Sequence, residues 1–233
     1  MEFEQTLLPG RLMRRYKRFL ADVELDDGEQ VTAHTPNTGS MLGCAEPGSR
    51  VWLSISKNPA RKYSYSWELV ETLDGVMVGI NTGLSNHLVE DAIRDGTVSE
   101  LAGYSTIRRE VRYGAENSRI DLLLEGDGPP CFVEVKNVTL VEHGTAYFPD
   151  AVSARGSKHL RELAEMVWQG GRGVIFFCIQ RQDATQLCPA DRIDAVYGQT
   201  LRQALRAGVE ALAYSAAVTT TGIRLVQRVP VVP

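Results

Sequence analysis

Cys131-Phe132-Val133-Glu134-Val135-Lys136-Asn137, preceded by Arg119-Ile120-Asp121-Leu122-Leu123-Leu124, decides how this chain is read. Both stretches are apolar and β-branched, and Glu125-Gly126-Asp127-Gly128-Pro129-Pro130 between them is turn-forming, so the pair predicts a β-hairpin. Side chains alternate faces along a strand, which puts Glu134 and Lys136 on one face and Val133 and Val135 on the other. Pairing the strands brings Asp121 toward Glu134. Two carboxylates and an ammonium then converge at the polar end of an otherwise apolar sheet.

A D…E-x-K constellation suits metal-dependent phosphodiester hydrolysis. Two carboxylates hold a hard cation, Mg²⁺ or Mn²⁺, which keeps several waters and takes a phosphate oxygen as a further ligand. The cation acidifies a bound water and neutralises charge on the phosphoryl group. Lys136 can orient or deprotonate that water. A solvated Glu–Lys pair on an open sheet leaves the same local pattern, so the rest of the chain has to decide.

The 233 residues suffice for one large or two modest domains with a real core. A net charge of −4 gives no global attraction to nucleic acid, so any such binding must rest on local basic patches. The acidic start, Met1-Glu2-Phe3-Glu4-Gln5, lacks the order of a signal peptide, and no apolar run reaches the length of a membrane span. Cys44, Cys131, Cys178 and Cys188 show no C-x-x-C spacing, which argues against zinc and for reduced thiols. A cytoplasmic protein with no membrane partner is the expectation.

Upstream, residues 1–82 read as all-β. A long apolar–basic stretch runs from Arg11 to Leu25, and Asp26-Asp27-Gly28 turns it into Gln30–His34. Further strands read at Arg50–Ser56, Tyr63–Leu73 and Val76–Ile80. Five short strands in this span suggest an oligonucleotide-binding (OB) type of barrel. Arg11, Arg14, Arg15, Lys17 and Arg18 face only Glu2 and Glu4 in the first twenty residues, and Arg50, Lys57, Arg61 and Lys62 occupy an acid-free stretch. Trp52, Tyr63, Tyr65 and Trp67 are interleaved with the latter group. Cations for phosphates and aromatic faces for bases suit single-strand binding, although such aromatics in strands are more often core. The loop His34–Met41 is rich in turn formers and hydroxyls and reads first as a self-satisfied turn.

After Asn81-Thr82-Gly83 the pattern changes. Asn86 is expected to cap a helix ended by Gly96, followed by a helical turn near Ser99–Ala102 and strands near Thr106–Tyr113, Arg119–Leu124 and Cys131–Asn137. Asp150 or Ser153 caps a longer helix reaching about Gln169. Leu160, Leu163, Ala164 and Val167 form its apolar stripe, while Arg155, Lys158, His159 and Glu162 form a polar one. Val174–Ile179 reads as a fully buried parallel strand. A helix over Asp194–Ala207 and strands near Val209–Ala217 and Gly222–Val229 complete a mixed-sheet α/β domain, residues 83–233, with one crossover helix.

The order αβββαβ, with an acid and E-x-K on adjacent strands, resembles the PD-(D/E)xK nuclease superfamily. Over nearly its full length the chain resembles the sugar fermentation stimulation protein (SfsA) family. The matching stretches are Arg15-Tyr16-Lys17-Arg18-Phe19-Leu20, Pro36-Asn37-Thr38-Gly39, Arg61-Lys62-Tyr63, Glu110-Val111-Arg112-Tyr113-Gly114 and Ser118-Arg119-Ile120-Asp121. Glu134-Val135-Lys136, Phe148-Pro149-Asp150-Ala151-Val152 and Arg155-Gly156-Ser157-Lys158-His159-Leu160 continue them in the same order. The resemblance implies an N-terminal OB barrel, a nuclease-like C-terminal domain, and DNA binding interpreted as regulation of sugar metabolism. It places Asp121, Glu134 and Lys136 on the superfamily signature, with Ile120 where a proline is usual. A further acid is expected from Glu110, on the preceding strand, in preference to Asp91 on the first helix.

Two functional readings follow. One is a Mg²⁺- or Mn²⁺-dependent nuclease acting on DNA, with RNA as a second substrate. Its metal ligands are Asp121 and Glu134, its catalytic residues add Lys136 and Glu110, and its nucleic-acid contacts are Arg15, Lys17, Arg18, Arg61, Lys62, Arg155, Lys158 and His159. The other is a non-catalytic DNA-binding transcriptional regulator of sugar (maltose) metabolism on the same scaffold. Oligomeric state, with a homodimer as one option, is left open.

Overall fold

The computed structural model describes residues 1–114 and 118–233. The long apolar–basic stretch is two strands, β1 (Leu8–Tyr16) and β2 (Leu20–Leu25), because Lys17 and Arg18 take left-handed conformations (φ 49° and 63°) and turn the chain between them. β3 (Gln30–His34), β4 (Arg50–Ile55), β5 (Tyr65–Glu71) and β6 (Met77–Gly79) follow. The antiparallel order β3-β2-β1-β4-β5 closes through a parallel pairing of β3 with β5 at Ala33↔Tyr65 and His34↔Ser66, giving a five-stranded OB-like barrel with β6 hairpinned onto β5. Alternation selects its filling, including Leu12, Val23, Leu53 and Trp67. Trp67 is fully buried and its indole N–H donates to the Leu69 carbonyl at 2.8 Å, so it is core and no platform for bases.

The second domain opens with a 3₁₀ turn, Thr82–Leu84, and α1 (Ser85–Arg94). Asn81 caps the turn through its side-chain oxygen, which accepts from the Gly83 N–H; Asn86, expected as the cap, lies inside α1 and its amide is used elsewhere. Then come β7 (Thr106–Tyr113), β8 (Ser118–Glu125), β9 (Cys131–Val138), β10 (Val141–Glu142) and β11 (Thr145–Phe148). The chain continues through α2 (Ala154–Trp168), β12 (Arg172–Ile179), β13 (Gln186–Pro189), α3 (Ala195–Arg206), β14 (Glu210–Thr219) and β15 (Gly222–Arg228). The main sheet has the order β15-β14-β12-β9-β8-β7, and β12 runs parallel to both β9 and β14. Two crossover helices are therefore required, α2 and α3, where the sequence suggests one. The short β10, β11 and β13 form a small separate sheet that the sequence pattern does not announce.

The run Val174–Ile179 is buried on both faces. Val174, Phe176 and Cys178 pack with Leu88 and Val89 of α1, while Ile175, Phe177 and Ile179 pack with Leu160, Leu163, Tyr197 and Leu201 of α2 and α3. Each fully buried side chain of this size stabilises the fold by about 1.5–3 kcal/mol, which is why this strand tolerates no polar residue. Leu69 of the barrel belongs to the first of these cores, so the two domains share packed apolar surface.

Candidate active site

β8 and β9 pair only over Leu122↔Val133, Leu123↔Phe132 and Leu124↔Cys131. Beyond Leu122 the ladder stops, and the Asp121 side chain replaces the missing rung. Its Oδ2 accepts from the Val135 backbone N–H at 2.7 Å and its Oδ1 from the Asn86 amide at 2.9 Å. Asn86 is thus a site residue that its reading as a helix cap concealed.

Glu134, on the face toward α2, is only 3% exposed. Its Oε1 accepts from Lys136 Nζ at 2.6 Å and from His159 Nδ1. The other ring nitrogen of His159 accepts from Arg155 Nε at 3.3 Å, which leaves the proton on Nδ1. Glu134 Oε2 is buried without a hydrogen-bond partner among the described residues. The acidities of the two carboxyls diverge. Burial and then the neighbouring Glu134 push Asp121 up to about 6, against the hydrogen bonds from Asn86 and Val135. Burial acts to raise Glu134 as well, but the His159 hydrogen bond and the Lys136 ammonium hold it below the usual carboxylate range.

Two further buried groups face this pair. The Tyr113 hydroxyl has no hydrogen-bond partner among the described residues, and its acidity is weakened by burial and then by Glu134, Glu162 and Asp121. Glu162 is 6% exposed, and neither carboxylate oxygen has a hydrogen-bond partner among the described residues. Its only signal in the sequence is the i,i+3 spacing from His159, which puts both on one side of α2. From the sequence, Arg155, Lys158 and His159 on that stripe are expected as nucleic-acid contacts, and Glu162 is given no role.

Of the expected residues, the fold brings together Asp121, Glu134, Lys136 and His159. His159, expected as a nucleic-acid contact, is buried with its Nδ1 bonded to Glu134 Oε1. Glu110 stands across from Asp121 on β7 with φ 53°, is exposed, and forms no hydrogen bond or ion pair among the described residues. Asp91 is 52% exposed and lies 3.7 Å from the N-terminal ammonium. Arg155 is exposed and Lys158 half-buried at the start of α2. In the barrel, the Arg15 guanidinium donates to the carbonyls of Asn37, Gly39 and Ser40, and Arg18 donates to that of Thr38. Lys17 is exposed in the β1–β2 turn; Arg61 donates to Ser66 Oγ, and Lys62 lies over the Tyr63 ring.

Among the described residues no group of three or more His, Cys, Asp or Glu side chains is arranged to hold a metal ion. The acceptors this site could offer a cation are the carboxylates of Asp121 and Glu134. That composition fits a cation such as Mg²⁺, and Glu134 Oε2 supplies a buried acceptor with no hydrogen-bond partner among the described residues.

Comparison with known proteins places these features in a family. The model of the "Sugar fermentation stimulation protein RE domain" matches residues 83–222, and that of the "SfsA N-terminal OB domain" matches residues 13–80. A sugar fermentation stimulation protein homolog of Geobacter metallireducens is 64% identical over 100% of both chains. The homolog of Geobacter sulfurreducens is also 64% identical, covering 99% of this chain and 98% of its own. The solved structure of Pyrococcus furiosus SfsA in complex with Ca²⁺ superposes with a TM-score of 0.90 at 29% identity, over 100% of this chain and 98% of that one. On matches that span both domains, this chain belongs to the sugar fermentation stimulation protein family.

Proposed function

We propose that the protein is a divalent-cation-dependent nuclease acting on DNA or RNA, with Mg²⁺ or Mn²⁺ held by Asp121 and Glu134. One observation carries the reading. Glu134 keeps a buried carboxylate oxygen without a hydrogen-bond partner among the described residues, in electrostatic contact with Asp121, while Lys136 stands 2.6 Å from its other oxygen. Two carboxylates this close to each other would repel a phosphate backbone unless a cation neutralised them, and a purely regulatory DNA-binding surface has no need of them. The Ca²⁺ in the Pyrococcus furiosus relative supports a hard, oxygen-preferring ion.

When bound, the cation supplies Lewis acidity, charge neutralisation and an acidified water. The chain's own part is positioning. Asn86 and the Val135 N–H hold the Asp121 carboxylate across the opening between β8 and β9. His159 anchors Glu134, and its ring is held in turn by Arg155. Lys136 is the group placed to orient the attacking water, and its ammonium adds positive charge beside the phosphoryl group.

The test is cleavage of labelled single- and double-stranded DNA and RNA with Mg²⁺, Mn²⁺ or EDTA. Metal-dependent cutting is expected, falling by about 10²-fold or more in Glu134→Ala and Lys136→Ala while nucleic-acid binding persists. Binding without cutting under every metal, unchanged in both variants, would overturn the catalytic reading in favour of the DNA-binding regulator.

A further inference from the structure

A cleft of about 230 Å³ lies between the two domains, immediately beside the candidate active site. Asn37, Thr38 and Gly39 of a barrel loop form one wall; Lys136, Tyr147 and Phe148 line the other side. We propose that this cleft seats one unpaired base of a nucleic-acid strand, flanking the phosphodiester that meets Lys136. The inference rests on the nucleic-acid part of the function proposed above and specifies the substrate as single-stranded or locally unpaired.

Size and walls set the first limit. The volume is below the roughly 300 Å³ at which pockets for drug-sized ligands begin, so it has room for one ring system. With the barrel loop on one side and β9 and β11 on the other, a base still stacked and paired in a duplex cannot enter. Chemistry sets the second. Tyr147 is half-buried and presents an aromatic ring with the Arg192 guanidinium 5.1 Å from its centroid. A ring of this kind stacks on any base, which suits sequence-tolerant recognition of a single strand. Among the polar lining groups, Asn137 Oδ1 is already engaged, accepting from Ser85 and Gln180. Thr38 is exposed at the rim, and its hydroxyl makes no hydrogen bond among the described residues.

The wall is also built to stay in place. Carbonyls of all four residues from Asn37 to Ser40 accept from Arg15 or Arg18. Asp150 Oδ2 accepts from the Met41 N–H at 3.0 Å, tying the loop to the second domain. A Cβ on Gly39 would lie 2.5 Å from that carboxylate, so only glycine allows the approach. The two guanidinium groups thus act behind the loop, holding a surface that meets the substrate.

The experiment measures fluorescence anisotropy of a short labelled oligothymidylate, and of the same strand in a blunt duplex, in EDTA to prevent cutting. Tyr147→Ala is expected to weaken single-strand binding about tenfold, Tyr147→Phe to retain it within about twofold, and the duplex to be affected by less than about twofold in both. Thr38→Leu, an exposed loop substitution that fills the cleft, is expected to reproduce the loss without a change in thermal stability. Unchanged single-strand affinity in both Tyr147→Ala and Thr38→Leu would overturn the proposal. If that result accompanied metal-dependent cutting with unchanged KM and kcat, the nuclease reading would stand and the base site would fall. If the wild type cut nothing but the two variants lost single-strand binding, the base site would stand and the hydrolytic reading would fall.

Discussion

At the scale of single residues, the candidate site is a set of polar groups whose hydrogen-bonding is incomplete. Asp121 is the one with a measurable pH signature. Its folded-state acidity is shifted up to about 6 from an ordinary value of 3.8, so the folded protein binds this proton more tightly than the unfolded chain. The metal-free protein therefore loses stability as pH rises from about 4 to about 6, and the full cost, on the order of 3 kcal/mol, persists above that window. Asp121→Asn removes the ionisation. Urea unfolding in EDTA is expected to find this variant about 1–3 kcal/mol more stable than wild type at pH 8 and no more stable at pH 4. Protonation also competes with a cation for the same oxygens. Mn²⁺ is accordingly expected to raise the wild-type melting temperature at pH 8, to raise it much less at pH 5, and to do little to Asp121→Asn at either pH.

At the scale of elements, α2 carries the site because it delivers His159 and Glu162 to the sheet, and its start is fixed by two caps that share one residue. Ser153 Oγ accepts from the Gly156 N–H at 3.0 Å. Asp194, itself buried, caps α3 by accepting from the Tyr197 N–H at 2.9 Å, and its second oxygen accepts from the Ser153 N–H at 2.8 Å. Ser153→Ala loses one cap and is expected to cost about 1 kcal/mol. Asp194→Ala strips both junctions and leaves buried donors unpaired, so a larger cost of about 2–4 kcal/mol is expected in the same unfolding assay. Equal effects from the two variants would show that the α2–α3 junction is not shared. The sequence offers Asp150 or Ser153 as the cap of α2, of which the structure uses Ser153, and it places the start of α3 at Asp194 without a capping role. Nothing local said that one carboxylate serves both helices.

At the scale of the whole molecule, the barrel and the larger domain are joined by apolar and polar contacts together. Leu69 of β5 packs into the larger domain's core, the Gly79 N–H donates to the Gln180 carbonyl at 2.9 Å, and Ser40 and Met41 bond to Asp150. Shared core predicts one cooperative thermal transition, and calorimetry resolving two would contradict it. One close approach between the domains is at Gly39. Gly39→Ala must push the loop away from Asp150, so a loss of about 1–3 kcal/mol is expected, together with reduced kcat/KM in the cleavage assay. Asp150→Asn, which keeps an oxygen for the Met41 N–H, is expected to be milder on both readouts.

What the sequence by itself determined is whatever follows from local period and turn chemistry. Alternation along Cys131–Asn137 puts Glu134 and Lys136 on one face, and the hairpin turn before it brings Asp121 alongside. The all-apolar Val174–Ile179 could only be a strand covered on both faces. The barrel and the αβββαβ order follow from the same reasoning. Tertiary structure alone decided the rest. A polar stripe on α2 reads the same whether it faces water or a buried site, and only the packing of α2 against β9 shows that His159 and Glu162 turn inward while Arg155 remains outside. Asn86 reads as a cap until α1 is laid over the end of β8, and Arg15 and Arg18 read as phosphate contacts until the loop they hold is seen against the second domain. In each case the partner lies tens of residues away, and a one-dimensional pattern records the spacing of side chains but not the surface that will meet them.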